Sequence, residues 1–253
     1  MVQFIAMLQS KSALVLLALV VFLVLDRVFP MARVVGGLAR VAKNLALALA
    51  NGFLGWLVVV PLSAFAAQHG LDWRPLWWSG TAGLVIDLLI LDMWIYWWHR
   101  GNHVVPFLWR FHQVHHLDQF LDASSALRFH FGEVLASALV RAGVIFLLGV
   151  PLATVVIFET VLALAAMFHH SNVKLPRGLE RLLSLVIVTP SIHWVHHHAL
   201  RADTDSNYAT VLSLWDRLFG SRSATKRTAD MAIGVEGASD LTLTGLLKRP
   251  FVD

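Results

Sequence analysis

The feature that most constrains this chain is a set of apolar segments long enough to cross a lipid bilayer. A spanning α-helix needs roughly 20 predominantly apolar residues. Such segments lie at 12–25, which reaches spanning length with the flanking residues 26–29, at 45–67 and at 76–98. A longer apolar block covers 133–168. Hydrophobic residues make up 57% of the 253 residues and charged residues only 14%, whereas soluble domains are about a quarter charged. The sequence therefore predicts an integral membrane protein.

The block at 133–168 is too long for one span, and Gly149-Val150-Pro151 divides it. Proline disfavours continuation of the preceding helix, which leaves halves of about 17 residues. We predict a helical hairpin that enters and leaves the membrane on one side. The first apolar segment is predicted to be a retained helix. A signal peptide is the alternative, although no small-residue cleavage site follows the segment.

The orientation follows from basic residues after the first span, which are Arg27, Arg33, Arg40 and Lys43. Loops rich in lysine and arginine stay in the cytoplasm. We therefore expect one all-α membrane domain over 1–253, with three transmembrane helices within 12–98 and a hairpin at 133–168. A cytosolic helical cap, formed by 99–132 and 169–253, completes about four membrane-embedded helices. The net charge of +4 fits such loops better than nucleic-acid binding.

Histidine is concentrated in one part of the chain: all of the 13 except His69 lie between positions 99 and 198. RFHQVHH at 110–116 and HWVHHH at 193–198 share the spacing His-x-x-His-His. Residues three and four apart lie on one face of a helix. The sequence therefore predicts groups of imidazoles that point the same way, at His99 and His103, at His112, His115 and His116, and at His193, His196 and His197.

Such groups predict metal binding. Clustered cationic imidazoles would repel one another, buried polar groups without partners are costly, and neutral imidazole is a common metal ligand. Eight histidines exceed what one ion takes, so we expect a dinuclear site. Nitrogen ligation disfavours magnesium and calcium and leaves iron, zinc, copper or nickel open. The chain has no cysteine, which excludes thiolate ligands.

Polar residues precede the first histidine pair on one helical stripe. Asp92, Tyr96, His99 and His103 are spaced for a common face. An ionisable residue within a span is a functional candidate, and we expect Asp92 to orient a ligating imidazole by a hydrogen bond. An ordinary hydrogen bond between helices is the alternative.

The ordered motifs of 92–221 resemble the fatty acid hydroxylase/sterol desaturase superfamily. They are DMWIYWWHRGNH (92–103), LWRFHQVHH (108–116), RFHFGE (128–133), FHHSNVKLP (168–176), TPSIHWVHH (189–197) and DSNYATVLSLWDRLFGS (205–221). The resemblance implies a diiron centre that uses molecular oxygen and two supplied electrons. The metal ligands that it implies are His99, His103, His112, His115, His116, His130, His170, His193, His196 and His197.

The resemblance also makes Asp92, Tyr96 and Asn172 catalytic candidates. It implies that Asn207, Tyr208 and 215–217 form a structural closure of the cap.

The resemblance implies a membrane-bound, O2-dependent diiron lipid hydroxylase. A desaturase or methyl oxidase of the same superfamily is one alternative, and a non-catalytic membrane metal-binding or transport protein is another. The expected partners are a membrane lipid and a separate donor, ferredoxin or cytochrome b5-like. The short chain and its Ala, Val, Leu and Arg bias favour a bacterial inner membrane, with the site on the cytoplasmic face.

Overall fold

The computed structural model describes residues 2–252, and these residues form an all-α protein. The first half contains α1 (Val2–Val28), α2 (Gly37–Leu54), a π-helical turn (Gly55–Val59), α3 (Val60–Gln68), α4 (Gly80–Val104), α5 (Pro106–His116) and a 3-10 turn (Ala123–Leu127). The second half contains α6 (Phe131–Leu148), α7 (Leu152–His170), α8 (Arg177–Leu183), α9 (Pro190–His196), α10 (Arg201–Thr204), α11 (Leu214–Leu218), α12 (Leu243–Lys248) and a 3-10 turn (Arg249–Phe251). The predicted all-α class is confirmed.

Within residues 2–252, five helical segments are long and apolar enough to cross a membrane, where the sequence predicts about four. They are Phe4–Val28, Gly37–Gln68, Gly80–Val104, Phe131–Leu148 and Leu152–His170. The difference lies in the predicted hairpin. Its arm α6 has 18 residues and is about 27 Å long at 1.5 Å per residue, close to the hydrocarbon thickness of roughly 30 Å. Each arm of the hairpin is therefore long and apolar enough to be a span in its own right.

The tip of the hairpin rests on the loop between α3 and α4. Gly149 ends α6 with φ 58°, and the Leu71 N–H donates to the Phe146 carbonyl at 2.8 Å. A Cβ atom on Gly149 would lie 2.6 Å from the Leu71 oxygen, so the close approach and the positive φ both require glycine. The two arms thus run from this loop to the opposite end of the spans, which we call the histidine end.

Buried polar contacts fasten the start of α2 to the loop that follows α5. The Arg40 guanidinium donates to Asp118 Oδ2 at 2.7 Å, and Asn44 Nδ2 donates to the same oxygen at 2.9 Å. Arg128 in turn donates to Asn44 Oδ1 at 3.2 Å. The basic segment at 27–43 and the histidine-bearing segments therefore lie at the same end of the spans.

An ion cluster lies within the apolar spans themselves. Glu159 of α7 pairs with Arg141 of α6, Oε1 to Nη2 3.0 Å, and its other oxygen bonds to Lys11 of α1. A charge inside a span is costly unless it is paired. One carboxylate therefore holds two neighbouring helices against α7.

Replacing Glu159 by glutamine is expected to lower the thermal unfolding midpoint in detergent by several degrees, because Lys11 and Arg141 would both lose their counter-charge. Asp230→Asn, which neutralises an exposed carboxylate of the cap, serves as the control and should leave the midpoint unchanged. Equal midpoints for Glu159→Gln and the parent protein would contradict this account of the cluster.

Candidate metal centre

Nine histidines converge in two adjacent groups at the histidine end of the spans. Each histidine offers one ring nitrogen, and within a group these nitrogens all lie within 4.8 Å of one another. None of the nine residues is more than 9% exposed. The first group is His99, His103, His112, His116 and His196, and the second group is His115, His170, His193 and His197.

The spacing His-x-x-His-His divides each helix between the two groups. In α5, His112 and His116 are four apart and join the first group, while His115 joins the second. In α9 and the residue after it the roles are reversed, because His193 and His197 join the second group and His196 joins the first. Positions i and i+4 lie above one another on a helix and position i+3 is displaced around it. Each helix can therefore contribute to both groups.

The long membrane helices supply the remaining members. The sequence places the end of the third span at 98, but α4 continues to Val104, so His99 and His103 occupy its last turns. His170 is the last residue of α7. Both groups therefore lie where the apolar spans meet the polar part of the protein.

Main-chain carbonyls fix the tautomer of four of these rings. Nδ1 bonds to the Tyr208 oxygen in His99 and to the Ser206 oxygen in His196, both at 2.7 Å. Nδ1 of His115 bonds to the Arg128 oxygen at 3.2 Å, and Nδ1 of His170 to the Ala166 oxygen at 2.7 Å. A carbonyl oxygen can only accept, so each Nδ1 carries the proton. The Nε2 lone pairs remain free for a ligand.

The second group contains close contacts between ring nitrogens that a bound cation would stabilise. Nε2 of His170 lies 3.1 Å from Nε2 of His115 and 3.0 Å from Nε2 of His193. Because Nδ1 holds the proton in both His115 and His170, their Nε2 atoms face each other with lone pairs only. Two nitrogens that bind one metal ion at about 2.1 Å lie roughly 3 Å apart when their two bonds to the ion make a right angle. A metal ion between these nitrogens therefore fits their spacing and removes the repulsion.

The first group carries ring nitrogens that have no hydrogen-bond partner. Both nitrogens of His116 are buried and unpartnered, and so is Nε2 of His103, His112 and His196, while Nδ1 of His103 lies 3.4 Å from Asp205 Oδ1. A buried polar atom without a partner costs roughly 1–3 kcal/mol. A bound metal ion would satisfy one nitrogen of each ring, since neutral imidazole nitrogen is a good ligand for iron, zinc, copper and nickel.

The rings outside the spans are held neutral. Burial, reinforced by neighbouring imidazoles, lowers the pKa of His115, His116 and His193 well below the usual value. The same causes lower the pKa of His197, and burial and His99 lower that of His196. A metal ligand must be deprotonated, so these imidazoles are in the ligating state at neutral pH.

Glu133 supports a ligand candidate of the first group, although the sequence did not single it out. Its Oε1 accepts from Nδ1 of His112 at 2.9 Å and from Nδ2 of Asn102 at 3.3 Å. A carboxylate behind a ligating imidazole orients the ring and raises its basicity. The signal available in the sequence was a carboxylate at the start of an apolar helix.

His130 lies outside both groups, although the resemblance implies it as a ligand. Its Nδ1 accepts from the Gly132 N–H at 3.0 Å, and its Nε2 bonds to the Leu247 carbonyl at 3.1 Å. Both nitrogens are therefore engaged with the main chain. His130 caps the start of α6 and holds the C-terminal helix α12 against it.

His130→Ala is expected to leave the metal content unchanged and to cost about 1 kcal/mol of stability, the typical loss for an N-cap residue. Metal analysis and thermal unfolding of the same preparation measure the two effects. Loss of metal from this variant, with the fold intact, would make His130 a ligand.

The three predicted catalytic residues all bond within the scaffold. Asp92 Oδ2 accepts from the Leu212 N–H at 3.1 Å and from the Trp215 indole at 2.7 Å, which corrects the expectation that it orients an imidazole. Tyr96 bonds to Ser221 Oγ at 2.8 Å. Asn172 donates to and accepts from the main chain of Ala32, both at 2.9 Å. These bonds join the cap to α4 and to the end of α1.

The segment at 206–216 closes over the first group. Its carbonyls of Ser206 and Tyr208 hold two ligand candidates, and Asn207 between them has φ 51°, a left-handed conformation that asparagine tolerates. The Asp216 carboxylate accepts from the Ala209 N–H at 3.2 Å. The structural role that the sequence predicts for this segment agrees with these contacts.

A cavity of about 330 Å³ lies beside the first group. Trp109 and Arg201 line it, together with Glu236. The Trp109 ring centre lies 5.1 Å from that of His103 and 5.4 Å from that of His116, and the Arg201 guanidinium lies 4.4 Å from the indole. One aromatic ring therefore separates the cavity from two ligand candidates.

Comparison with known proteins gives consistent matches. A model of the fatty acid hydroxylase family matches residues 84–221, more than half of the chain. An ornithine lipid hydroxylase of Rhizobium tropici is 31% identical over 185 residues, which are 73% of this chain and 55% of that protein. An alkylglycerol monooxygenase of Danio rerio is 34% identical over 145 residues, which are 57% of this chain and 30% of that protein.

A third relative is a cholesterol 25-hydroxylase-like protein of Danio rerio, 30% identical over 159 residues, which are 59% of this chain and 62% of that protein. The matched region thus spans about half the length of the first of these relatives and about a third of the second. No solved structure matches the chain.

Proposed function

This chain belongs to the fatty acid hydroxylase family, and on that premise we propose that it is a membrane-bound, oxygen-dependent diiron lipid hydroxylase. The observation that carries the proposal is the pair of adjacent histidine groups at the ends of apolar spans. Such a place is accessible both to a lipid in the bilayer and to a soluble electron donor.

The proposed ligands are the nine histidines of the two groups, and each group holds one iron. The donor set is all nitrogen, as iron accepts; the unpartnered nitrogens of the first group and the facing Nε2 atoms of the second group supply the ligand atoms. His130 is not part of this set. The proposed diiron pair, when bound, supplies with O2 an oxidant strong enough for an unactivated C–H bond.

The protein's own residues position and shield this chemistry. Glu133 and the carbonyls of Tyr208 and Ser206 orient the imidazoles. The burial of the ligands and the segment at 206–216, which covers the first group, would exclude bulk water from the site. The proposed reaction converts one C–H bond to C–OH with one oxygen atom of O2 and releases the other as water. It consumes two electrons and two protons.

The proposed substrate is a membrane lipid with an oxidisable alkyl or acyl chain. The names of the relatives indicate an ornithine lipid, an alkylglycerol and cholesterol for those proteins. These three lipid classes are the first to test. Both histidine groups lie at span ends rather than near mid-membrane, where transporters place their sites, which favours catalysis over metal transport.

The proposed electron donor is a ferredoxin or a cytochrome b5-like protein. The cavity beside Trp109 supports this, because an electron that arrives there is one ring away from two ligand candidates. The proposed location is a bacterial inner membrane with the site on the cytoplasmic face. The lysines and arginines at the histidine end support that orientation.

The test is oxygen incorporation. The purified, iron-loaded protein is supplied with isotopically labelled O2, a ferredoxin with its reductase, and each lipid class in turn. We expect mass spectrometry to show one lipid that gains a single labelled oxygen atom, only when both O2 and reductant are present. A lipid that loses two hydrogens without gaining oxygen would identify a desaturase. No change in any class would refute the proposed function for these substrates.

A further inference from the structure

Large apolar side chains are exposed in the part of the protein that lies outside the five candidate spans. Leu182 is 64% exposed and Leu218 is 62% exposed, and their neighbours on the same surface are also exposed. Monomeric soluble surfaces rarely present several such side chains together. We call this surface the leucine face, and it consists of Leu182, Leu185, Val186, Leu214 and Leu218.

Main-chain bonds join the two segments that carry the leucine face. The Ser213 N–H donates to the Val186 carbonyl at 3.0 Å, and the Val188 N–H to the Val211 carbonyl at 2.9 Å. Arg217 donates to the Leu185 carbonyl at 2.7 Å. Backbone N–H and C=O groups must be hydrogen-bonded before a segment can enter lipid. The bonds above meet that requirement for several of the backbone groups in the two segments.

The leucine face lies beside an apolar span and not beyond its end. Asp92 of α4 accepts from the Leu212 N–H and from the Trp215 indole. The Phe219 ring centre lies 4.9 Å from that of Trp97. Asp92 precedes the end of α4 by a length of about 18 Å, since each residue adds 1.5 Å. The segment 212–219 is therefore level with the apolar and tryptophan-rich part of α4.

A basic rim borders the leucine face where the chain enters α8. Lys174, Arg177 and Arg181 are all exposed. The acidic residue of α8, Glu180, accepts instead from the Ser191 N–H at 3.2 Å. Exposed leucines beside lysine and arginine are typical of surfaces that lie in a bilayer with anionic lipids. The complementary occupant is thus a lipid leaflet.

We propose that the leucine face is inserted into the membrane leaflet at the histidine end, with the basic rim at its headgroups. The cap is then partly embedded rather than wholly outside the bilayer. The acyl chains of that leaflet surround the metal-bearing end of α4, so a lipid can approach the site without leaving the membrane.

The absence of cysteine from the chain makes a site-directed test clean. Leu182→Cys and Leu218→Cys, made separately, are labelled with a nitroxide and placed in nanodiscs that contain phosphatidylglycerol. Collisions with dissolved oxygen, which partitions into lipid, are compared with collisions with a water-soluble nickel chelate. Leu17→Cys, in α1 and 61% exposed, is the lipid reference, and Lys226→Cys, in an exposed part of the cap, is the water reference.

We expect the oxygen-to-nickel ratio at both leucine positions to approach that of Leu17→Cys and to exceed that of Lys226→Cys several-fold. Ratios equal to that of Lys226→Cys would overturn the proposal. Protection from both reagents, with spin–spin broadening that unlabelled protein removes, would assign the face to a second copy and also overturn it. The two labels lie on separate segments, so one variant that fails to fold leaves the other as the test. The measurement needs neither metal nor turnover, so its outcome is independent of the proposed hydroxylase activity.

Discussion

His196→Ala and His115→Ala are each expected to reduce lipid oxidation to below detection. His196 belongs to the first group and His115 to the second, so either change removes a proposed ligand from one of the two ions. Loss of the histidine ring also leaves buried nitrogens of the neighbouring rings facing an empty volume. Product formation under labelled O2 measures the effect.

The matched control is His69→Ala. His69 lies at the end of α3, at the opposite end of the spans, and its ring bonds to the Phe65 carbonyl at 2.9 Å. This variant should oxidise lipid at the parent rate. Near-normal turnover in either His196→Ala or His115→Ala would contradict the assignment of that group to catalysis.

The second large effect is expected at Glu133, a residue that does not itself join either group. Glu133→Ala removes the acceptor for Nδ1 of His112 and for Asn102 within a buried site. Loss of a carboxylate behind a ligating histidine typically weakens metal binding by about 10–100-fold. Glu133→Gln keeps an oxygen acceptor and should bind metal more tightly than the alanine variant.

Titration of the metal-free protein with ferrous iron measures these affinities. Glu236→Gln, which changes an exposed carboxylate beside the cavity, is the control and should bind like the parent. If Glu133→Ala bound ferrous iron with the affinity of the parent protein, the ring of His112 would not need the carboxylate as a hydrogen-bond partner.

The placement of the histidines was largely predictable, because it depends on local geometry. The spacing of three and four residues puts His112, His115 and His116 on neighbouring parts of one helix, whatever surrounds it. The expectation that all three point the same way is wrong, because His112 and His116 join the first group and His115 joins the second. The spacing cannot predict that α5 gives two histidines to the first group and one to the second, whereas α9 with the residue after it does the reverse. That distribution depends on how the two helices cross.

The partners of the carboxylates were not predictable, because they depend on contacts between distant segments. Asp92 is one helical turn from Tyr96 in the sequence, yet its partner Trp215 lies 123 residues further along the chain. Asn172 follows a histidine pair and still bonds to Ala32 near the end of α1. A polar residue next to a ligand in the sequence need not face the metal.

The end of α4 could not be found from composition alone. A hydropathy pattern finds the apolar spans, but it ends the third span at 98, whereas the helix that carries it continues to Val104. It also does not reveal the leucine face, because charged residues such as Arg181 and Arg217 interrupt those leucines in the sequence. In the fold, main-chain bonds join the two segments that carry the leucines, and Arg217 bonds to the Leu185 carbonyl.

The measurement that tests the central claim most directly is the iron content of the purified protein, expressed in iron-rich medium and analysed by mass spectrometry. The account predicts two irons per chain for the parent protein, with loss of iron in a variant that carries both His115→Ala and His196→Ala. One iron per chain, or two that persist in the double variant, would contradict the assignment of nine histidines to two metal ions.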